Sequence, residues 1–104
     1  MPTHMKRSYE IMTIVGAGLG EQKATQISKD IQETITSHDG EVVKTDYWGK
    51  RKFSYEIKHQ TEGFYDLIHF KIDPLKIDQL KNKLNLVQDL LRYLITAQTA
   101  EEGK

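Results

Sequence analysis

The order in which two hydrophobic periodicities alternate along the chain constrains its fold more than any other feature. Four segments have the apolar, β-branched or alternating patterns of strands: residues 9–15, 41–57, 64–72 and 90–97. Between them, residues 21–38 and the segment after Asp73 repeat their apolar side chains every three or four positions, which is typical of amphipathic helices. The predicted order is therefore β-α-β-β-α-β.

This order predicts an α+β fold of the ferredoxin-like type, a four-stranded antiparallel sheet with two helices on one face. The chain of 104 residues fits one domain, which we place at residues 8–97. We expect a flexible N-terminal arm of residues 1–7 and a flexible C-terminal tail of residues 98–104. The second face of the sheet would stay uncovered and available to bind something.

Local signals refine these elements. Gly49 predicts a bulge inside the second strand, and residues 59–63 predict the turn that joins it to the third as a long hairpin. Asp73 followed by Pro74 predicts the start of the second helix, and Gly40 the left-handed residue that ends the first. The first strand, apolar on both alternations, should be buried mostly on both faces. The first helix should bury one apolar stripe: Ala24, Ile27, Ile31 and Ile35.

Composition excludes several classes of function. Without cysteine the chain has no disulfides and no thiolate chemistry, and no apolar run approaches the roughly 20 residues that cross a bilayer. We therefore expect a cytoplasmic protein with no membrane partner. The 15 basic and 15 acidic residues cancel, which argues against binding nucleic acid by bulk charge. The four histidines lack metal-ligand spacing and no ionisable set converges, so we expect no enzyme activity, catalytic residue, metal or cofactor.

Two segments partly match nucleotide-binding signatures. The glycines of residues 16–20 lie between a strand and a helix, but Glu21 occupies the third glycine position of the dinucleotide fingerprint, so a turn is favoured. Residues 62–69 partly match the ribonucleoprotein motif of RNA-recognition domains. There Glu62 replaces the opening base and Asp66 an aromatic residue, which favours an ordinary hairpin strand over one that reads bases.

The segment from Trp48 to Tyr55 indicates most about function. Lys50, Arg51 and Lys52 are consecutive on a strand, so Lys50 and Lys52 should face one side and Arg51 the other. Aromatic side chains that can stack or anchor a partner lie on either side of them: Trp48, Phe53 and Tyr55. From residue types alone, two interpretations are equally good: binding of RNA or a partner, and protection of an edge strand against sheet-to-sheet pairing.

This segment resembles the signature of the bacterial small-subunit (30S) ribosomal protein S6 family, in which a glycine followed by basic residues leads into an aromatic or apolar strand end and a tyrosine. Other family-like features lie in matching order: Tyr9-Glu10, Leu19, Gly40-Glu41-Val42, Glu62-Gly63-Phe64-Tyr65 and Leu91-Arg92-Tyr93-Leu94. The resemblance covers residues 6 to 98. On this order and spacing the chain is identified as a member of the family.

The resemblance implies a sheet in the order 4-1-3-2 and binding to the central domain of 16S rRNA together with ribosomal protein S18. The implied role is that of a structural constituent in subunit assembly and translation, monomeric outside the ribosome. It makes four cations candidates for contact with rRNA or the partner: Lys50, Arg51, Lys52 and Arg92. Trp48, Phe53 and Tyr55 become candidates for packing or for the partner interface. The leading alternative is a ligand-sensing or oligomer-forming ferredoxin-like module whose sheet packs on a second copy, and a small enzyme comes third.

Overall fold

The structure, a computed structural model, describes residues 6–97. Its elements are β1 (Arg7–Gly16), α1 (Glu21–Ser37), β2 (Glu41–Ile57), β3 (Gln60–Ile72), α2 (Ile77–Leu84) and β4 (Leu90–Ala97), with 3-10 turns at Ala17–Leu19 and Pro74–Lys76. The strands form one sheet in the order β2-β3-β1-β4, and every neighbouring pair is antiparallel. The predicted ferredoxin-like fold and strand order are confirmed.

The predicted flexible termini can be followed only in part. Residues 1–5 of the arm and the whole tail, residues 98–104, lie outside the described residues. Arg7, predicted to belong to the arm, begins β1 and lies opposite Ile72 of β3. Neither helix within residues 6–97 has the length and apolar character needed to span a membrane.

The core lies between the helices and one face of the sheet. The predicted stripe of α1 is confirmed, since Ile31 is 2% and Ile35 0% exposed. From α2, Leu80 and Leu84 join them. The sheet contributes side chains that alternate along its two central strands: Tyr9, Ile11, Val15, Phe64, Ile68, Phe70 and Ile72. Period-two alternation on the strands and a three-to-four spacing on the helices therefore meet in a single layer.

The prediction that β1 is buried on both faces is only partly correct. Ile14 and Val15, next to each other near the end of the strand, are both buried. Earlier in the strand, Glu10 and Met12 are only half-buried because they point away from the helices. Both helices lie on one side, so the second apolar alternation of β1 faces the uncovered side of the sheet.

The first helix ends differently from our expectation. Asp39, with φ 64°, is the left-handed residue, and its amide donates to the Thr36 carbonyl. Gly40 follows and donates its amide to the Ile35 carbonyl at 2.9 Å, which completes a Schellman motif. A Cβ on Gly40 would lie 2.7 Å from that carbonyl oxygen. Gly40 is therefore required for close approach rather than for a positive φ.

The remaining local signals have mixed outcomes. The Asp73 carboxylate accepts from the Leu75 amide at 2.9 Å, as predicted for an N-cap, although it first caps the 3-10 turn that leads into α2. The bulge at Gly49 is confirmed by its φ of 80° and by a register shift there.

The hairpin turn is shorter than predicted. Lys58 and His59 both have positive φ, as in a type I′ turn, and β3 already begins at Gln60. Neither residue is the glycine or asparagine that signals such a turn.

Candidate functional site: the open face of the sheet

We call the side of the sheet opposite the helices the open face. Strand register arranges its side chains in rows that cross all four strands. One row joins Asp46, Leu67, Met12 and Leu94, so three of its four members are apolar. Leu94 lies on the edge strand β4 and is 65% exposed. An apolar band with an exposed end therefore crosses the middle of the open face.

The next row along the sheet carries an aromatic cluster, made of Trp48, Phe53 and Tyr65. Because of the bulge at Gly49, Trp48 has no residue opposite it on β3. The Trp48 ring stacks on the ring of Tyr65, with centroids 6.3 Å apart and planes at 13°. Phe53 meets the same tyrosine edge-on at 6.1 Å. Stacked and edge-to-face contacts are the preferred geometries of aromatic pairs. The cluster extends the apolar band towards the hairpin.

Two glycines make room for the end of the hairpin, Gly63 for the ring of Phe53 and Gly16 for the side chain of Gln60. Gly16 of β1 and Gly63 of β3 lie opposite each other in the sheet. A Cβ on Gly63 would lie 2.6 Å from Cζ of Phe53 and 3.1 Å from Cγ2 of Ile14. Because neither glycine carries a side chain, the end of the hairpin folds back over the open face. Sequence reasoning identified Gly63 as part of a family motif but gave no sign of this contact.

The folded-back hairpin reaches as far as β4. The Arg92 guanidinium donates to the Tyr55 hydroxyl at 3.2 Å, although 37 residues separate the two in sequence. Tyr55 itself is 62% exposed. Arg92 lies opposite Ile14, in the same row as Tyr65. The structure therefore brings three of the predicted site residues, Phe53, Tyr55 and Arg92, to the same end of the open face.

The three consecutive cations of β2 separate as the alternation predicted. Arg51 lies opposite Gly63, a residue of the open face. Lys50 and Lys52 lie opposite Phe64 and Glu62, which alternate onto the other side of the strand. All three cations are exposed, and β2 is an outer strand of the sheet. The structure therefore places Arg51 with the aromatic cluster and both lysines away from it.

The opposite end of the open face is polar. Lys44, His69, Glu10 and Thr96 form one row across the sheet. Within it, Nδ1 of His69 lies 3.1 Å from a Glu10 carboxylate oxygen, and both side chains are a little over one quarter exposed. The apolar band is thus bounded by this pair at one end and by arginines at the other. No signal in the sequence connected Glu10 with His69.

The partial ribonucleoprotein match fails on geometry. Phe64 and Asp66, at the two positions that would stack bases, face α1 instead of the open face. Asp66 is 7% exposed, accepts a hydrogen bond from the Ser28 hydroxyl, and has its pKa raised by burial. The nearby Tyr47 hydroxyl donates to Glu21 at 3.0 Å, and burial raises its pKa to about 12. These polar contacts join α1 to the sheet, so the two base-stacking positions of the motif do not reach the open face.

The open face therefore has the features of an interaction surface for a macromolecule. It carries exposed apolar and aromatic side chains beside two arginines, a combination that is enriched at protein and RNA interfaces. Among residues 6–97, no group of three or more acidic, histidine or cysteine side chains is arranged to hold a metal ion.

Comparison with known proteins gives a consistent family. The family model described as ribosomal protein S6 matches residues 8–97. The small ribosomal subunit protein bS6 of Dictyoglomus turgidum is 36% identical over 96 residues, spanning 92% of this chain and 99% of that protein. Its counterpart from Fusobacterium nucleatum is 34% identical over 92 residues, spanning 88% and 98%. The crystal structure of 30S ribosomal protein S6 from Thermotoga maritima matches with a TM-score of 0.86 at 27% identity, over 90% of this chain and 89% of that one.

Proposed function

The chain belongs to the ribosomal protein S6 family, and from that premise we propose that it binds the central domain of 16S rRNA together with ribosomal protein S18. Family membership makes it a structural, non-enzymatic constituent of the small ribosomal subunit, located in the cytoplasmic ribosome. It also decides in favour of the ribosomal interpretation over the alternative ligand-sensing module. The proposal adds the two ligands and the surface that receives them.

The observation that carries the proposal is the open face. A sheet face that exposes Leu94 by 65% and Trp48 by 40% would be an unfavourable surface for a chain that never has a partner. Burying it under a protein removes apolar area from water, which is the main driving force of association. We assign the apolar band to S18.

Charge explains why two ligands are needed. The chain carries as many acidic as basic residues, so it attracts RNA through a few local cations and not through its overall field. Duplex RNA is recognised mainly by shape and by phosphate and sugar contacts, which such cations can supply. A partner docked on the same face enlarges the RNA-binding surface. The role is architectural, since the bound pair fixes the local fold of the rRNA during assembly.

A filter-binding titration with a fragment of the 16S rRNA central domain tests the proposal. We expect weak binding by the chain alone and much tighter binding when S18 is added, with the isolated chain eluting as a monomer in size-exclusion chromatography. Tight binding without the partner would contradict the two-ligand mechanism. A stable dimer that ignores both the rRNA and S18 would support the oligomer-forming alternative instead.

A further inference from the structure

The four candidate cations differ in their surroundings. Lys52 lies opposite Glu62 on the neighbouring strand, although the two side chains form no ion pair. Lys50 lies opposite Phe64, which is buried and points towards the helices. Both lysines are exposed on β2, which forms one edge of the sheet, and neither faces the aromatic cluster. Exposed lysines on an outer strand are the usual protection against pairing with another sheet.

The two arginines share the open face. Arg51 lies opposite Gly63, which has no side chain and no charge. Arg92 lies opposite Ile14, which is apolar. Among the described residues none of the four cations takes part in an ion pair. The arginines therefore differ from the lysines in the face that they share with the aromatic cluster.

Their placement suits two contacts with one extended anion. Arg51 belongs to the row of Gly63 and Gly16, and Arg92 to the next row, so their Cα atoms lie roughly 15 Å apart from strand spacing and rise. Arg92 is oriented by the Tyr55 hydroxyl at 3.2 Å, a neutral acceptor that fixes the guanidinium without cancelling its charge. A planar guanidinium can bind a phosphate through two parallel hydrogen bonds, which a lysine ammonium cannot do.

From these surroundings we infer that the cations divide by face. Arg51 and Arg92 contact phosphates of the RNA together, at the aromatic end of the open face, and Tyr55 is the positioning residue for Arg92. Lys50 and Lys52 protect the β2 edge and make no phosphate contact. The inference rests on the proposed rRNA binding and assigns it to two of the four candidates.

Two double variants with the same reduction in charge test the division. One is Arg51→Gln with Arg92→Gln, and the matched control is Lys50→Gln with Lys52→Gln. Each is mixed with S18 and the 16S central-domain fragment, and the dissociation constant is measured at several salt concentrations. Glutamine keeps much of each aliphatic stem, and thermal melts check that both variants are folded.

The arginine variant should reduce the slope of log affinity against log salt by roughly 1.4–1.8, or about 0.7–0.9 for each phosphate that is no longer neutralised. The lysine variant should keep the wild-type slope and scatter more light as its edge loses charge. Tyr55→Phe should keep the slope, since both charges remain, and weaken binding roughly two- to tenfold by releasing Arg92.

The outcomes separate this inference from the function on which it rests. If the wild-type chain fails to bind the RNA even with S18, the proposed function is wrong and the division falls with it. If the wild type binds and both double variants reduce the slope equally, or only the lysine variant does, the function stands and the division is overturned. An unaltered affinity in Tyr55→Phe would remove the positioning role.

Discussion

The two faces of the sheet are made by the same four strands, yet only one of them forms a core. On the helix-covered face, Ile11 and Ile68 lie opposite each other and are both 0% exposed. On the open face the corresponding row runs from Met12 to Leu94, which is 65% exposed. Both rows are apolar, so hydrophobic alternation alone does not distinguish them. The difference lies in the two helices, which cover one face and leave the other for a partner.

The largest effect should come from the covered face. Ile31 lies in the middle of the α1 stripe and is 2% exposed, so Ile31→Ala should cost about 2–5 kcal/mol through reduced burial and a residual cavity. Urea unfolding measured by circular dichroism gives the change in the free energy of unfolding. A cost well below about 1 kcal/mol would mean that α1 does not pack on the sheet through this stripe, and the helices would then not account for the difference between the two faces.

A smaller destabilisation should follow from filling the glycine position under the hairpin. In Gly63→Ala the new Cβ would meet Cζ of Phe53 at 2.6 Å and the Val15 carbonyl oxygen at 2.8 Å. Overpacking of this kind costs about 1–3 kcal/mol. Because the strain falls on Phe53, the fluorescence of the neighbouring Trp48 should change as well.

The matched control for this variant is Gly18→Ala. The nearest atom to a Cβ at Gly18 lies 4.0 Å away, which is an ordinary van der Waals distance. We expect this variant to melt within a few degrees of the wild type. Equal destabilisation by the two alanines would show that the hairpin does not fold back over Gly63. The placement of Phe53 at the aromatic end of the open face would then be wrong.

A still smaller effect should appear as a pH dependence of the covered face. Burial raises the pKa of Asp66 above its ordinary value of 3.8, so the folded state disfavours the charged carboxylate. As the pH falls from neutral towards 4, the folded chain takes up this proton before the unfolded chain does, and stability rises. Asp66→Asn can still accept from Ser28 and lacks this titration. Its stability relative to the wild type should therefore be highest at neutral pH and decline as the pH falls.

Asp39 provides a control of opposite sign. Its hydrogen bond and charge interaction with Lys76 lower its pKa, so its stabilising effect is present above 3.8 and disappears as the pH falls through the lowered value. The difference between the wild type and Asp39→Asn should therefore shrink only in strong acid. If the Asp66 and Asp39 variants followed the same pH trend in thermal melts, the burial of Asp66 against α1 would be in doubt.

Sequence reasoning reached the fold because its signals are local and periodic. The stripe of α1, the Asp73 cap and the Gly49 bulge each depend on residues within a few positions of one another. The geometry of the candidate site depends on contacts between distant residues. The hydrogen bond between Arg92 and Tyr55 joins residues 37 positions apart in the sequence. Phe53 lies over Gly63 only because the end of the hairpin folds back over the open face. Alternation predicted that Arg51 differs from its neighbours, whereas the face it shares with Arg92 required the strand register.

The smallest change in stability should come from the open face, together with a large decrease in binding. Leu94 is 65% exposed, so Leu94→Ser removes little buried area and should change the free energy of unfolding by no more than about 0.5 kcal/mol. The same substitution places a hydroxyl in the apolar band, where a docked partner would have to desolvate it. Affinity for S18, measured by calorimetry without RNA, should therefore fall about tenfold or more.

Thr96→Ser, on the same strand in the polar row, serves as the control and should leave this affinity unchanged. If Leu94→Ser instead unfolds the chain, the open face is part of the core; if it binds S18 like the wild type, the partner docks elsewhere.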